Sequence, residues 1–181
     1  MDITIRAVRP EEHAALGELT AQAYLADGLL AFADSDEYLI ELRDVAGRAA
    51  DAEVLVAVER GGVEPGAAEP GVPGRGERLL GGVTFAPGGG PLAELAGNGE
   101  AEIRMLAVAC EDRRRGAGEA LVRACVERAR AADGCRRVVL SSQQAMRTAH
   151  RVYERLGFVR TPERDWTPVP GVTLRTYALD L

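Results

Sequence analysis

The chain has 181 residues, 46% of them hydrophobic, and it carries no lysine, so all 22 basic residues are arginine. That length and composition suit one folded domain and argue against disorder, and no apolar run approaches the ~20 residues a bilayer span needs. A formal net charge of −6 argues against general nucleic-acid binding, and three cysteines without C-x-x-C spacing, beside the isolated His13 and His150, leave a metal such as zinc without a ligand pattern.

The opening Met-Asp-Ile-Thr-Ile-Arg has no basic and apolar leader pattern, so a cytoplasmic setting with reduced thiols is expected. Ile3, Ile5 and Ala7 alternate with Thr4, Arg6 and Val8, which predicts a first strand. Pro10 opens a helix whose first turn carries Glu11 and Glu12, where the helix dipole favours them. Leu16, Leu19, Ala23 and Tyr24 form its apolar face, and Asp27-Gly28 ends it. Asp34 or Ser35 caps a second helix that runs to about Ala50, with Tyr38, Leu39, Leu42 and Val45 inward. Residues 53–59 read as a strand buried on both faces, and residues 78–86 as the strand that returns. Between them residues 61–76, rich in Gly, Pro and Ala, cannot hold a core and read as a long loop.

After a second glycine-rich connection, residues 101–109 give the central strand. A helix over residues 116–132 presents Leu121, Ala124, Cys125 and Ala129 on one face and stops at Asp133-Gly134. Residues 136–140 form the next strand, 141–144 a polar transition, and a helix resumes near Ala145 with Met146, Ala149, Tyr153 and Leu156 on one stripe. Gly157 suits the position after its end, Phe158-Val159 starts a short strand, residues 161–170 with three prolines and Trp166 are a loop, and 172–181 a closing strand. The order β-α-α-β-β-β-α-β-α-β-β defines a single α/β domain with a mixed sheet.

The chemistry concentrates at Arg113-Arg114-Arg115-Gly116-Ala117-Gly118, between the central strand and its helix. Glycines let backbone approach a ligand, and the first amides of a helix have no partners inside it. Three cations beside the positive end of a helix are in conflict unless an anion sits among them, so a phosphate-bearing ligand is expected; a solvated basic turn is the alternative. The order of glycines is not G-x-G-x-x-G, and a Walker loop requires the lysine that this chain lacks.

The turn resembles the acetyl-CoA loop of the GCN5-related N-acetyltransferases (GNAT), Gln/Arg-x-x-Gly-x-Gly/Ala, with Arg113, Gly116 and Gly118 in its positions. Downstream, Ala149-x-x-x-Tyr153-x-x-x-Gly157-Phe158 is similar to that family's C-terminal signature, and the order of elements agrees over nearly the whole chain. The resemblance implies a single-domain fold with a mixed, mostly antiparallel sheet flanked by helices. It implies acetyl-CoA as co-substrate, no metal, and attack of an amine on the thioester within a ternary complex. Tyr153 is then the general acid toward the leaving thiolate, and Glu102, with Glu100 as its rival, is the candidate base working through water. Main-chain groups of Leu106, Ala107 and Val108 would hold the pantetheine arm, and the turn Arg113, Arg114, Arg115, Gly116, Ala117 and Gly118 the pyrophosphate. The family's asparagine seven residues before the tyrosine is Met146 here, with Gln143 or Gln144 as substitutes.

Residues 1–60 hold 13 acidic and 5 basic residues, whereas residues 111–160 hold 6 acidic and 12 basic. An anionic cofactor on the basic half and a cationic amine facing the acidic half fit this split; Asp27, Asp34, Asp36 and Glu37 are candidates to draw that amine, a small molecule or a peptide terminus. Tyr24 and Trp166 either wall the acceptor pocket or are ordinary packing. Cys110 reads as a buried structural thiol in preference to an acyl-cysteine route. A non-catalytic acyl-CoA-binding or sensing domain of the same fold is the alternative function, and the resemblance leaves a homodimer open.

Overall fold

The computed structural model describes residues 2–30, 37–60 and 76–181. Strand β1 (Ile3–Ala7) leads through a 3-10 turn at Pro10–Glu12 into α1 (His13–Ala26), then α2 (Tyr38–Arg43) and α3 (Val45–Asp51). Strands β2 (Glu53–Arg60), β3 (Glu77–Pro87) and β4 (Glu100–Val108) follow, then a 3-10 turn at Cys110–Asp112, α4 (Ala117–Ala131), β5 (Arg137–Gln143) and α5 (Arg147–Arg155). Strands β6 (Val159–Arg160), β7 (Trp166–Val169) and β8 (Val172–Asp180) close the chain. The sheet runs β1-β2-β3-β4-β5-β8-β6, with β7 also paired to β8. Every pairing is antiparallel except β4 with β5.

Alternation along β2 explains why helices cover both faces of this sheet. Val54, Val56 and Val58 pack with Leu16 of α1 and Val45 of α3. Leu55 and Ala57 join the opposite cluster, where Leu121, Val122, Cys125 and Ala129 of α4 are fully buried. Successive strand residues point to opposite faces, so a strand covered on both sides must read as an unbroken apolar run.

Three expectations are corrected. The second helix is not continuous to Ala50: it breaks at Asp44 (φ −78°, ψ 68°), whose side chain accepts from the Gly47 amide at 2.8 Å and caps α3. Its expected cap, Asp34 or Ser35, and the 61–75 loop lie outside the described residues. Residues 166–169 are a strand and not a loop, because β7 lies on β8 with an irregular register and Pro168 sits within that break. The polar residues Ser141, Ser142 and Gln143 continue β5, pairing with Thr176, Arg175 and Leu174. The element order therefore gains one helix break and one strand over the expected one.

Candidate active site

The site begins where β4 and β5 part. They pair from Glu100 with Arg137 to Ile103 with Leu140 and no further, while β5 goes on along β8 to Gln143. The register between β3 and β4 also shifts near Thr84, and Met105 adopts φ 52°, a left-handed backbone uncommon for a residue with a side chain. Behind this bulge Arg48, buried on α3, puts Nη1 2.7 Å from the Met105 sulfur and 3.3 Å from the Glu41 carbonyl; burial lowers its pKa. Beyond Ile103 the main chain of β4 therefore has an edge facing the gap instead of β5.

The glycine turn sits at the end of that edge. Arg114 (φ 63°) and Gly116 (φ 93°) are both left-handed, a backbone of the kind found in anion-binding turns. Among the described residues the amides of Arg114, Gly116, Ala117, Gly118 and Glu119 donate to no protein group, the first return bond being Ala120 to the Gly116 carbonyl. A β-carbon on Gly116 would meet nothing within 4 Å, and one on Gly118 only Val108 at 3.5 Å. Protein packing thus leaves room at both glycines.

The arginine conflict is resolved differently from the expectation. Arg113 makes two bonds to Asp27, at 2.6 and 2.9 Å, and Arg115 pairs with Glu59 at 2.6 Å and with Asp112. Arg78 completes the network on Asp112 and Glu59, and its guanidinium with that of Arg115 holds the buried Asp112 carboxyl below the ordinary range. Two of the three cations are therefore neutralised by the chain's own carboxylates. Of these three, Arg114 alone is exposed and has no ion pair among the described residues.

Two cavities open on this framework. The first, about 740 Å³, is walled by Leu106, Ala107, Val108, Arg113, Arg114, Gly116, Ala117 and Gly118. These are all of the sequence-expected cofactor residues except Arg115, which turns toward Glu59 and Asp112. Its further wall is α5, with Arg147, Thr148 and Arg151, which sequence reasoning did not assign. Arginines four residues apart on one helix were the available signal. The second cavity, about 530 Å³, is walled by Tyr38, Glu102, Arg104 and the β7–β8 hairpin, including Trp166. Glu37, Glu41 and Glu94 give it an acidic lining. Of the residues expected to draw an amine, Glu37 lies here, Asp27 is instead engaged by Arg113, and Asp34 and Asp36 fall outside the described residues. Tyr24, Leu29 and Met146 line both cavities, so the two meet there.

Glu102 is not a solvent-facing strand residue. It is 1% exposed, and Oε2 accepts from the amides of Glu94, Leu95 and Ala96 at 2.8, 2.7 and 3.1 Å. Its carboxylate therefore fixes the connection that precedes β4 and places Glu94, whose Oε1 lies 2.9 Å from Arg104 Nη2. Burial raises the Glu94 carboxyl, against the opposing pull of Arg104. Glu100 instead pairs with Arg164 at 2.9 Å.

Tyr153 is buried between Phe158 and Tyr177, ring centroids 6.0 and 5.7 Å away. Its hydroxyl makes no hydrogen bond among the described residues, and burial pushes the phenol well above its ordinary pKa. It lines neither cavity wall directly. Gln143 spends its amide on the Leu29 carbonyl at 2.5 Å, and Gln144 is exposed. Met146 occupies the junction, with the Ser142 hydroxyl 3.4 Å from its sulfur. Cys110 is exposed on the larger cavity, not buried, because β4 has ended before it; Cys125 is the buried thiol, pushed up to about 12 by burial.

The sheet is open, and its central strands part beside a glycine turn with unpaired amides. The model of the Acetyltransferase (GNAT) family matches residues 31–158, well over half of the chain. The chain belongs to that family. Its fold is similar to Arabidopsis thaliana NAA60 in complex with a bisubstrate analogue, at TM-score 0.67 and 19% identity over 99% of this chain and 98% of that one. A GNAT acetyltransferase from Staphylococcus aureus gives 0.67 and 14% over 99% of each chain. One from Brucella melitensis in complex with acetyl-CoA gives 0.59 and 22% over 99% of this chain and 88% of that one. A search of curated proteins gives no match. Among the described residues no group of three or more His, Cys, Asp and Glu is placed to hold a metal, and no helix is long and apolar enough to cross a membrane.

Proposed function

We propose that this protein is an N-acetyltransferase that moves the acetyl group of acetyl-CoA to a primary amine by direct attack in a ternary complex. The observation that carries the proposal is the meeting of two chemically opposite cavities at Tyr24, Leu29 and Met146, one walled by free amides and arginines, the other by carboxylates. The pyrophosphate sits on the amides of residues 113–118 and the pantetheine arm runs along the open edge of β4 at Leu106, Ala107 and Val108. The thioester then arrives near Tyr24, at the mouth of the acidic cavity.

An alkylamine with pKa near 10 is mostly protonated at pH 7, and its ammonium has no lone pair. The carboxylates of Glu37, Glu41 and Glu94 attract that cation, and its proton must then leave before attack. Glu102 is the base in this reading, acting through water at Oε1, because Oε2 is committed to three amides. Glu94, on the same wall with its carboxyl raised by burial, is the second proton acceptor. Nitrogen attacks the thioester carbonyl, the carbon–sulfur bond breaks, and the thiolate takes a proton from the Tyr153 hydroxyl. Burial that keeps this phenol protonated, and a hydroxyl without a protein partner, suit it to that role.

The test is release of free CoA across a panel of amines, with Tyr153→Phe beside the natural chain. Turnover should fall about 10²-fold or more in the variant while CoA affinity stays unchanged. Equal turnover in the two proteins would remove Tyr153 from the mechanism. Turnover only with neutral or anionic acceptors would remove the amine.

A further inference from the structure

On the proposed reading of the larger cavity as the acetyl-CoA site, we infer that Arg147 and Arg151 of α5 form the subsite for the 3′-phosphate of the cofactor, so that the protein selects CoA over its 3′-dephospho form. Ion pairs within the cavity wall support this assignment. Three acidic residues line the cavity, and each is already neutralised: Asp27 by Arg113, Asp112 by Arg78 and Arg115, and Glu119 by Arg123 and Arg155. Arg155 and Arg113 are thereby spent. Arg147 and Arg151, both exposed on the same wall, have no carboxylate partner among the described residues; Arg151 reaches only the Thr148 hydroxyl, at 3.4 Å.

These two cations are costly as they stand. Four residues apart on one helix face, they repel each other. Arg147 is also the first residue of α5, where the dipole disfavours a cation. A phosphomonoester carries roughly −1.5 to −2 charges at pH 7 and three acceptor oxygens, and guanidinium forks match that geometry. The pyrophosphate does not need these residues, since the amides of the glycine turn lie on a different element and are unpaired. The remaining anionic group of CoA is the 3′-phosphate.

Titration calorimetry with CoA and with 3′-dephospho-CoA tests the assignment without an acceptor amine, in the natural chain and in Arg147→Gln/Arg151→Gln. Both side chains are exposed, and circular dichroism checks that the variant folds. CoA should bind the natural chain tighter than the dephospho form by on the order of ten- to a hundredfold, the range expected for charge-assisted bonds. The double variant should bring the two ligands to nearly equal affinity by weakening CoA alone. Equal binding of both ligands by the natural chain overturns the inference, and so does an equal loss of both in the variant, which would place the arginines on the pyrophosphate. Binding of neither ligand to the natural chain would instead remove the acetyl-CoA reading on which this subsite rests.

Discussion

Arg113 of the glycine turn and Asp27 at the end of α1 are joined by two hydrogen bonds, Nη1 to Oδ1 at 2.6 Å and Nη2 to Oδ2 at 2.9 Å. The pair ties the glycine turn to the C-terminal end of α1, two regions far apart in sequence. Both side chains are about one-third exposed, so solvent screens much of the attraction.

Asp27→Asn should therefore cost under about 1 kcal/mol of stability. Its larger effect is on the ligand: the substitution removes a carboxylate from the cavity wall and frees Arg113, so CoA affinity should rise several-fold at low salt and less at high salt. Calorimetry at two ionic strengths measures this, and a loss of affinity would mean that the pair acts by holding the turn's shape.

Gly118 separates packing from binding. A β-carbon there meets Val108 at an ordinary 3.5 Å, and alanine is favoured over glycine within a helix by roughly 1 kcal/mol. Gly118→Ala should leave thermal stability equal or slightly raised while weakening CoA binding tenfold or more on the order of one blocked close contact. Differential scanning fluorimetry and calorimetry on the same sample read both effects, and unchanged affinity would take the ligand away from this turn.

Glu102 and Glu94 predict opposite patterns. Glu102→Gln removes the charge from a buried oxygen that receives three amides, so it should destabilise the fold by about 2 kcal/mol in urea titration as well as slow turnover. Glu94→Gln, on a half-exposed side chain, should barely move stability. If Glu94 takes the amine's proton, that variant shifts the acidic limb of the pH–rate profile; if Glu102 does, the limb stays where it was.

His150 gives a pH test of the core. It is buried against Tyr177, its Nε2 is 3.2 Å from the Ser142 hydroxyl, and burial is the main cause of its lowered pKa. The unfolded chain then binds a proton at a higher pH than the folded one. Stability from neutral His150 is complete above the unfolded pKa of about 6.5 and is lost as pH falls toward the lower folded value. His150→Gln should cost more at pH 7.5 than at pH 5.5 in urea titration, and an equal cost at both would refute the linkage.

Much of the fold was legible because periodicity is a local property. The apolar run of β2, the spacing of Leu121, Cys125 and Ala129, and the glycines after α4 and α5 each state their element without help from distant residues. The glycine turn and the Ala149–Phe158 segment could be singled out as candidates for the same reason. Where reading failed, the deciding partner was remote or the local cue was ambiguous. Trp166–Val169 looks like a proline-punctuated loop until β8 offers it an edge. The second helix is interrupted at Asp44, where one side chain caps the next turn. Cys110 is apolar by type but lies past the end of its strand.

The sequence by itself determined most of the order of elements, the turn that offers free amides, and the tyrosine on the helix α5, since all of these depend on residues near one another along the chain. Only tertiary structure decided which charges are spent and which are free. Asp27, Glu59 and Asp112 reach the arginines of the turn from distant elements or across a bend, Glu102 turns inward to three amides, and Arg147 and Arg151 remain uncompensated beside the cavity. Electrostatic pairing acts through space at a few ångströms, so the role of a charged residue is set by what the fold brings beside it.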